Sequence, residues 1–482
     1  MTDARERILV VCPTPRDRAH FSRPEIRKAH DLEFRGTDEE THEPGFDALQ
    51  FLNETIRAIE GRRSTYRAVV GIDDFPACLM AALIAEAIGL PSPSFESLFL
   101  CQHKYYSRLH QREAAPDAIP QFHCLDPSRS PHPLDIPMAL PVFVKPVKSY
   151  LSILARRIDT FADLSRTVEE ARLRLPGIAE IFNGFVGASR LDERFREIPG
   201  SALLVEELLS GHQVTFDGYV YEGQVAPLGV VDSFFYQNGV SFERFEYPSR
   251  IPAGVQERMA RIAERCIQRV GLDRTLFNVE FFYRPEEDTI RLVEINGRMA
   301  SQFAPLYRMV DGIDLYAMQL DLALGRNPDG TRTWSPGRGR DMVAASFVLR
   351  RFENGVVTQV PKPEDLERFA WRFPEAFIEI LVKPGERLSD ELQDDYSYRY
   401  ALIDLAAKDR EAMLRQFDEA KQLLPFAFEP IPDLLPVARY LPTPAPFKGP
   451  AEPDRRHESG DQDHHHDGRE HSLRQERLSA DR

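Results

Sequence analysis

The spacing of hydrophobic and polar positions changes several times along the chain, and each change predicts an element. Residues 6–12 (ERILVVC) and 66–74 (YRAVVGIDD) carry the short unbroken apolar runs of parallel strands buried on both faces. A helix-like stretch over 46–60 lies between them, and FPACLMAALIAEAIGLP then reads as a helix ended by Gly89 and Pro91. This alternation predicts an N-terminal α/β unit around a parallel sheet, over residues 1–98. Further on the period is two. LFNVEFFY (276–283) and TIRLVEIN (289–296) are strand-like runs joined by the polar residues RPEED, which predicts a hairpin. In straight strands Asn278, Glu280 and Phe282 share one face, and Leu292, Glu294 and Asn296 share the matching one. Phe277, Val279, Phe281, Val293 and Ile295 then form the core face. A register that pairs Tyr283 with Arg291 sets Glu280 opposite Glu294 and Asn278 opposite Asn296.

FAPLYRMVDGIDLYAMQLDLALG (303–325) reads as loop and helix ended by Gly325, and TRTWSPGRGRD (331–341) as a linker. Strands and a last amphipathic helix follow to residue 430, as a C-terminal subdomain over 331–438. From 439 to 482 the chain is Pro-rich, charged and nearly free of large apolar residues, the composition of a disordered tail. Its His464, His465 and His466 read as a solvated stretch rather than a metal site.

Composition narrows the function classes. With 482 residues, 42% of them hydrophobic, the chain can build two or three cores. A formal charge of -15 and the lack of a dense Lys/Arg block disfavour nucleic acid as a partner. The five cysteines, Cys12, Cys78, Cys101, Cys124 and Cys266, form no CxxC pair, which fits a reducing compartment. No apolar run approaches the ~20 residues of a membrane span, and the apolar stretch in MTDARERILVV is too short for a signal peptide. A cytoplasmic protein without membrane contact is expected.

Three places can carry chemistry. Lys104 opens an amphipathic helix, and Lys145 ends an apolar strand (LPVFVKPVK), with Lys148, Ser149 and Ser152 in the turn that follows. Lysines so placed can reach a polyphosphate, and they also read as solvated ends of elements. KSYLSIL has no glycine to bring backbone amides close to phosphate, so any grip relies on the lysines, the hydroxyls and the remaining amides. The second place is GSALLVEELLSGHQVTFDGYV: Glu206, Glu207, Leu208 and Leu209 offer the backbone donor, acceptor and apolar slot a purine needs, with Gln213 placed for a ribose, and an ordinary β-hairpin reads the same way. The third is the Glu280/Glu294 pair. Facing carboxylates repel unless a proton or cation lies between them, and a hard divalent ion takes oxygen ligands of this kind. Arg298 can reach the same space with a charge that does not titrate. Asp73 and Asp74, just past a strand end, read as readily as a helix cap.

In this order, Lys104, Lys145, Glu206-Glu207-Leu208, Glu280, then E-x-N-x-R as Glu294, Asn296 and Arg298, the chain resembles the ATP-grasp superfamily, of the carboxylate-amine (amino-acid or dipeptide) ligase type. The resemblance implies an α/β (α+β) fold with a Rossmann-like parallel-sheet domain, an ATP-grasp region over 99–330 with a small lid at about 140–205, and a large antiparallel-sheet domain. It implies that Lys104 and Lys145 contact ATP phosphates, that Glu206 and the 207–209 backbone hold adenine, that Glu280, Glu294 and Asn296 bind Mg²⁺ (or Mn²⁺), and that Arg298 steadies an acyl phosphate. The substrates implied are a small carboxylate and an amine, and a homodimer is compatible with it. Gln213 stands where the family usually has a ribose-binding Glu, Gly297 where Pro is common, and the turn at 148–153 lacks glycine. A biotin carboxylase-like enzyme would share the fold, yet Met299-Ala300-Ser301-Gln302 stands where that group carries Q-V-E-H, and no Met-Lys-Met biotin site is present. A nucleotide-binding regulator without turnover is the reading from another class.

Overall fold

The computed structural model describes residues 5–43, 45–132, 136–149, 153–328, 343–390 and 396–431. Ser152, the linker at 331–341, the expected tail and His464–His466 lie outside the described residues. Three parallel strands, β1 (Glu6–Val11), β2 (His30–Arg35) and β3 (Tyr66–Val70), lie in the order β2-β1-β3. β1 is central. Its Leu9 and Val11 pack into one core and Ile8 and Val10 into another, all at 0% exposure, which is why its sequence is apolar without alternation. β2 was not expected from the sequence: HDLEFR is mostly polar because this strand lies at the sheet edge and is only partly covered. The helix Ala77–Ile88 ends at Gly89, which takes a left-handed conformation (φ +73°) that glycine adopts without a Cβ penalty.

Four antiparallel strands, β4 (Phe122–Leu125), β5 (Val142–Pro146), β6 (Arg156–Ile158) and β7 (Leu203–Glu207), form a small sheet in the order β4-β7-β5-β6. The helix Phe161–Ala188 covers it and runs through Pro176. An interior proline costs a helix about 3 kcal/mol. Here Leu164, Val168, Ala171 and Leu175 pack against the small sheet and Phe182 and Phe185 into the first core, so burial of the stripe outweighs that cost.

The remaining strands are β8 (His212–Tyr221), β9 (Gln224–Phe235), β10 (Phe242–Tyr247), β11 (Thr275–Arg284), β12 (Thr289–Asn296), β13 (Val343–Arg351), β14 (Gly355–Gln359), β15 (Phe377–Ile380), β16 (Tyr398–Ala407) and β17 (Ala427–Pro430). Among the described residues eight of them make one antiparallel sheet, in the order β12-β11-β8-β9-β10-β13-β16-β15, and β14 pairs with β17. β13, β16 and β15 therefore extend the large sheet through the β10–β13 ladder. One face of this sheet buries Val214, Phe216, Phe277, Val279 and Phe281 against Val255, Met259 and Ala263 of the helix Ala253–Val270. Part of the other face is covered by two helices, Ala304–Asp311 and Leu315–Ala323, split at Gly312 (φ +73°) where the sequence suggested one loop and one helix. The stretch 200–232 is not a single hairpin either: β7 belongs to the small sheet and β8 to the large one, so Leu208–Gly211 links two sheets. All five cysteines are free, and four are buried. No helix among the described residues is long and apolar enough to cross a membrane.

Candidate active site

The face of the large sheet opposite the helix Ala253–Val270 presents polar side chains in rows across three strands. Asp217, Asn278 and Asn296 stand side by side on β8, β11 and β12, and Thr215, Glu280 and Glu294 form the next row. Gln213 follows, and its Nε2 donates to Glu280 Oε2 at 2.9 Å. Asn296 Nδ2 donates to Asn278 Oδ1 at 2.9 Å, and Asn278 Nδ2 to the Arg298 carbonyl at 3.3 Å. The expected opposition of Glu280 and Glu294 is present, but the register reached from the loop end is not. Tyr283 pairs with Ile290, because one residue of β12 is extra between the Glu280–Glu294 and Phe281–Leu292 pairs. That residue is Val293. Leu292, placed with the polar side chains by simple alternation, is 0% exposed in the core, and Val293, expected in the core, is only half-buried.

The bulge has a use. It frees the Val293 carbonyl from the strand ladder, and two cations take it: Arg108 Nη2 at 2.6 Å and Lys145 Nζ at 3.4 Å. Both cations also bind Glu206, Lys145 Nζ at 2.7 Å and Arg108 through Nε. Glu206 is 3% exposed, and burial alone would raise its pKa; Arg108 and then Lys145 outweigh burial and bring it down to about 2. Its carboxylate thus fixes Lys145 at the end of β5. Lys104, the first residue of the Lys104–Ala114 helix, lies 3.9 Å from Glu294 Oε2 and 3.5 Å from the Ser149 carbonyl. Arg108 was not singled out in the sequence, although it lies one turn beyond Lys104 on the same helix face, where i and i+4 side chains meet.

Asp74 also carries more than its position past β3 suggested. Oδ1 accepts from Arg298 Nε at 2.9 Å, and Oδ2 lies 3.5 Å from Lys148 Nζ. Of the adenine candidates, Glu207 is exposed with its carboxylate accepting from the Gln121 amide at 3.3 Å, and Leu208 and Leu209 are half-buried in the link between the sheets. Tyr307, Arg308, Arg244 and Arg350 all have protein partners. Tyr307 is buried with its hydroxyl on Asp217, and Arg308 lies 3.7 Å from Glu25. Arg244 binds Glu243 and Glu246, and Arg350 binds the Phe242 carbonyl and Ser397.

Glu280 holds its proton well above the usual carboxylate range, first through burial and then through the charge of Glu294. Such a pair is poised to exchange a proton for a cation. Among the described residues no group of three or more His, Cys, Asp and Glu side chains could hold a metal ion. Two carboxylates and the Asn296 amide fit Mg²⁺ in the manner of a site that shares the ion with bound phosphate, and they do not form a complete protein cage.

Residues 138–305 match the family model of the ATP-grasp domain. A stretch of 136 residues is 32% identical to carnosine synthase 1 of Gallus gallus, covering 27% of this chain and 14% of that protein. The chain thus spans a small part of that relative's length, and 40% of a second, uncharacterized relative from Sinorhizobium fredii. Among solved structures, the L-amino acid ligase from Bacillus licheniformis superposes with a TM-score of 0.67 over 89% of this chain and 100% of that one, at 14% identity. A biotin carboxylase from Campylobacter jejuni, solved as a β-γ-ATP complex, gives 0.56 over 88% and 92%, also at 14% identity.

Proposed function

Starting from a chain that carries an ATP-grasp domain over residues 138–305, we propose an ADP-forming ligase that activates a small carboxylate with ATP and joins it to an amine. The observation that carries this reading is the opposition of Glu280 and Glu294 on the polar sheet face, with Lys104 at Glu294 and the charges of Arg298 and Lys145 acting on Glu280. Lys104 and Lys145 supply fixed positive charge for polyphosphate, Lys145 held in place by Glu206 and the Val293 carbonyl. Leu208 and Leu209, with the 207–209 backbone and Gln213, provide the adenosine side, at the link between the sheets. Mg²⁺, or Mn²⁺ with the same oxygen donors, would be held by Glu280, Glu294 and Asn296 and would neutralise phosphate charge during transfer.

The reaction then balances as two displacements. A substrate carboxylate oxygen attacks the γ-phosphorus, the bond from that phosphorus to the β-bridging oxygen breaks, and ADP leaves. The amine nitrogen attacks the resulting acyl carbonyl, phosphate departs and the nitrogen gives up a proton. Arg298 is the residue placed to stabilise the oxyanion and the departing phosphate. The small sheet over the site would exclude water that otherwise hydrolyses the activated acid.

The names of two similar proteins, an L-amino acid ligase and a carnosine synthase, put amino acids first among substrates to test. The test is ADP release by the full chain over paired amino acids and small acids, with a bicarbonate arm, followed by mass spectrometry of products. Amide product equal to ADP released is the expected result. ADP release with bicarbonate and no amide indicates the carboxylating alternative, and nucleotide binding without any ADP release ends the ligase reading.

A further inference from the structure

We propose that Asp74 is a positioning residue: one carboxylate at the end of the parallel sheet holds Arg298 of the large sheet and Lys148 beside the small sheet in one arrangement. The inference rests on the ligase reading above, since it assigns the group that orders the arginine of that site. Three separate segments meet here. Asp74 follows β3, Lys148 follows β5, and Arg298 follows β12. Asp74 Oδ1 takes the Nε of Arg298 at 2.9 Å and Oδ2 faces Lys148 Nζ at 3.5 Å.

The way each partner is bound favours positioning over simple cross-linking. Arg298 is anchored through Nε, and its Nη1 donates to the Met299 carbonyl at 3.3 Å. Among the described residues Nη2 makes no hydrogen bond, so the outer end of the guanidinium is left for an anion. Lys148 is 1% exposed and lies 4.4 Å over the Phe75 ring, so water does not share its charge. Gln102 closes the arrangement, accepting from Lys148 Nζ at 2.8 Å and donating to the Asp74 carbonyl at 2.7 Å. Without the carboxylate, two cations would face each other and Arg298 would lose its fixed rotamer. Burial alone would raise the pKa of Asp74, but Lys148 and Arg298 together hold it below the usual range, so the carboxylate stays charged.

The test is a double-mutant cycle in the full chain. Asp74→Asn lowers kcat for ADP release by about 100-fold, the scale of losing one oriented transition-state donor, with KM for ATP within about 3-fold. In an Arg298→Ala background the same change costs less than about 3-fold, because the residue through which it acts is gone. Asp74→Glu recovers part of the rate. Losses that multiply in the double variant, or a wild-type rate for Asp74→Asn, overturn the inference. A melting curve without substrate separates this from failure of the ligase reading. If wild type releases no ADP with any acid and amine, that reading fails, and the inference is decided by whether Lys148→Met restores the melting temperature that Asp74→Asn lowers. No lowering, or no restoration, overturns it.

Discussion

Loss of water raises the pKa of two buried acids of this site, and at only one of them do neighbouring cations reverse it. Glu206 is held at about 2 by Arg108 and Lys145, whereas Asp217, 3% exposed with the Tyr307 hydroxyl at 2.8 Å, is pushed up to about 8 by burial. Asp217 is therefore protonated in the folded protein at neutral pH and ionised in the unfolded chain above its ordinary 3.8. The folded state binds the extra proton, so this group's contribution to stability is complete below pH 3.8, declines as pH rises, and is gone above pH 8. Asp217→Asn keeps an acceptor for Tyr307 and removes the titration. Urea unfolding at pH 5, 6 and 7 should show the variant gaining on wild type by about 1.4 kcal/mol per pH unit. Parallel curves would mean that Asp217 is charged in the fold. The sequence showed this residue as one polar position in a strand and gave no sign of its cover, because the tyrosine that seals it comes from a helix 90 residues away.

At the scale of elements, local rules were readable and their exceptions were not. Alternation along β11 and β12 is a property of neighbouring residues, so the facing carboxylates could be inferred from the hairpin alone. The bulge could not, because Val293 is as apolar as a core residue and its carbonyl is recruited by Arg108 and Lys145 from distant segments. The helix through Pro176 and the mostly polar β2 escaped for a related reason: packing decided them against local preference. The link between the two sheets is a place where a local signal did carry tertiary content. Gly211 has φ +129°, and a Cβ there would lie 2.5 Å from the Tyr283 carbonyl oxygen, which belongs to β11. Backbone cannot yield as a flexible side chain can. Gly211→Ala should cost about 2 kcal/mol or more, read as a lowered melting temperature, and should raise KM for ATP by shifting Leu208 and Leu209. Gly187→Ala is the control: it lies in a helix with open space around an added Cβ, and a small stabilisation is expected. Equal effects at both positions would refute the argument from close approach.

Across the whole molecule, the first helix and the last strands of the large sheet are joined by charge. Arg16, in the helix Pro15–Phe21, donates to Glu379 on β15 at 2.7 Å and to Asp404 on β16 at 2.9 Å. The partners are 363 and 388 residues apart, a separation at which no spacing rule of the sequence operates. The same holds for Asp74 and Arg298, 224 residues apart, which is why the site's carboxylates were legible and the residue anchoring its arginine was not. Arg16 is 3% exposed and Asp404 0%. Burying such charges has a desolvation cost that their attraction roughly offsets, so the pair contributes little over a well-packed apolar substitute. Removing one member is different, since it leaves the other charged and dry. Arg16→Met should lower the stability of the full chain by about 3–5 kcal/mol, measured on its first unfolding transition in denaturant. Adding Asp404→Asn to that variant removes the stranded charge and should recover a substantial part of the loss, so the two changes are far from additive. If Arg16→Met is neutral, the charged contact does not hold the N-terminal helix to the large sheet, and the apolar contacts of His20 with Tyr316 and Phe377 would carry that junction.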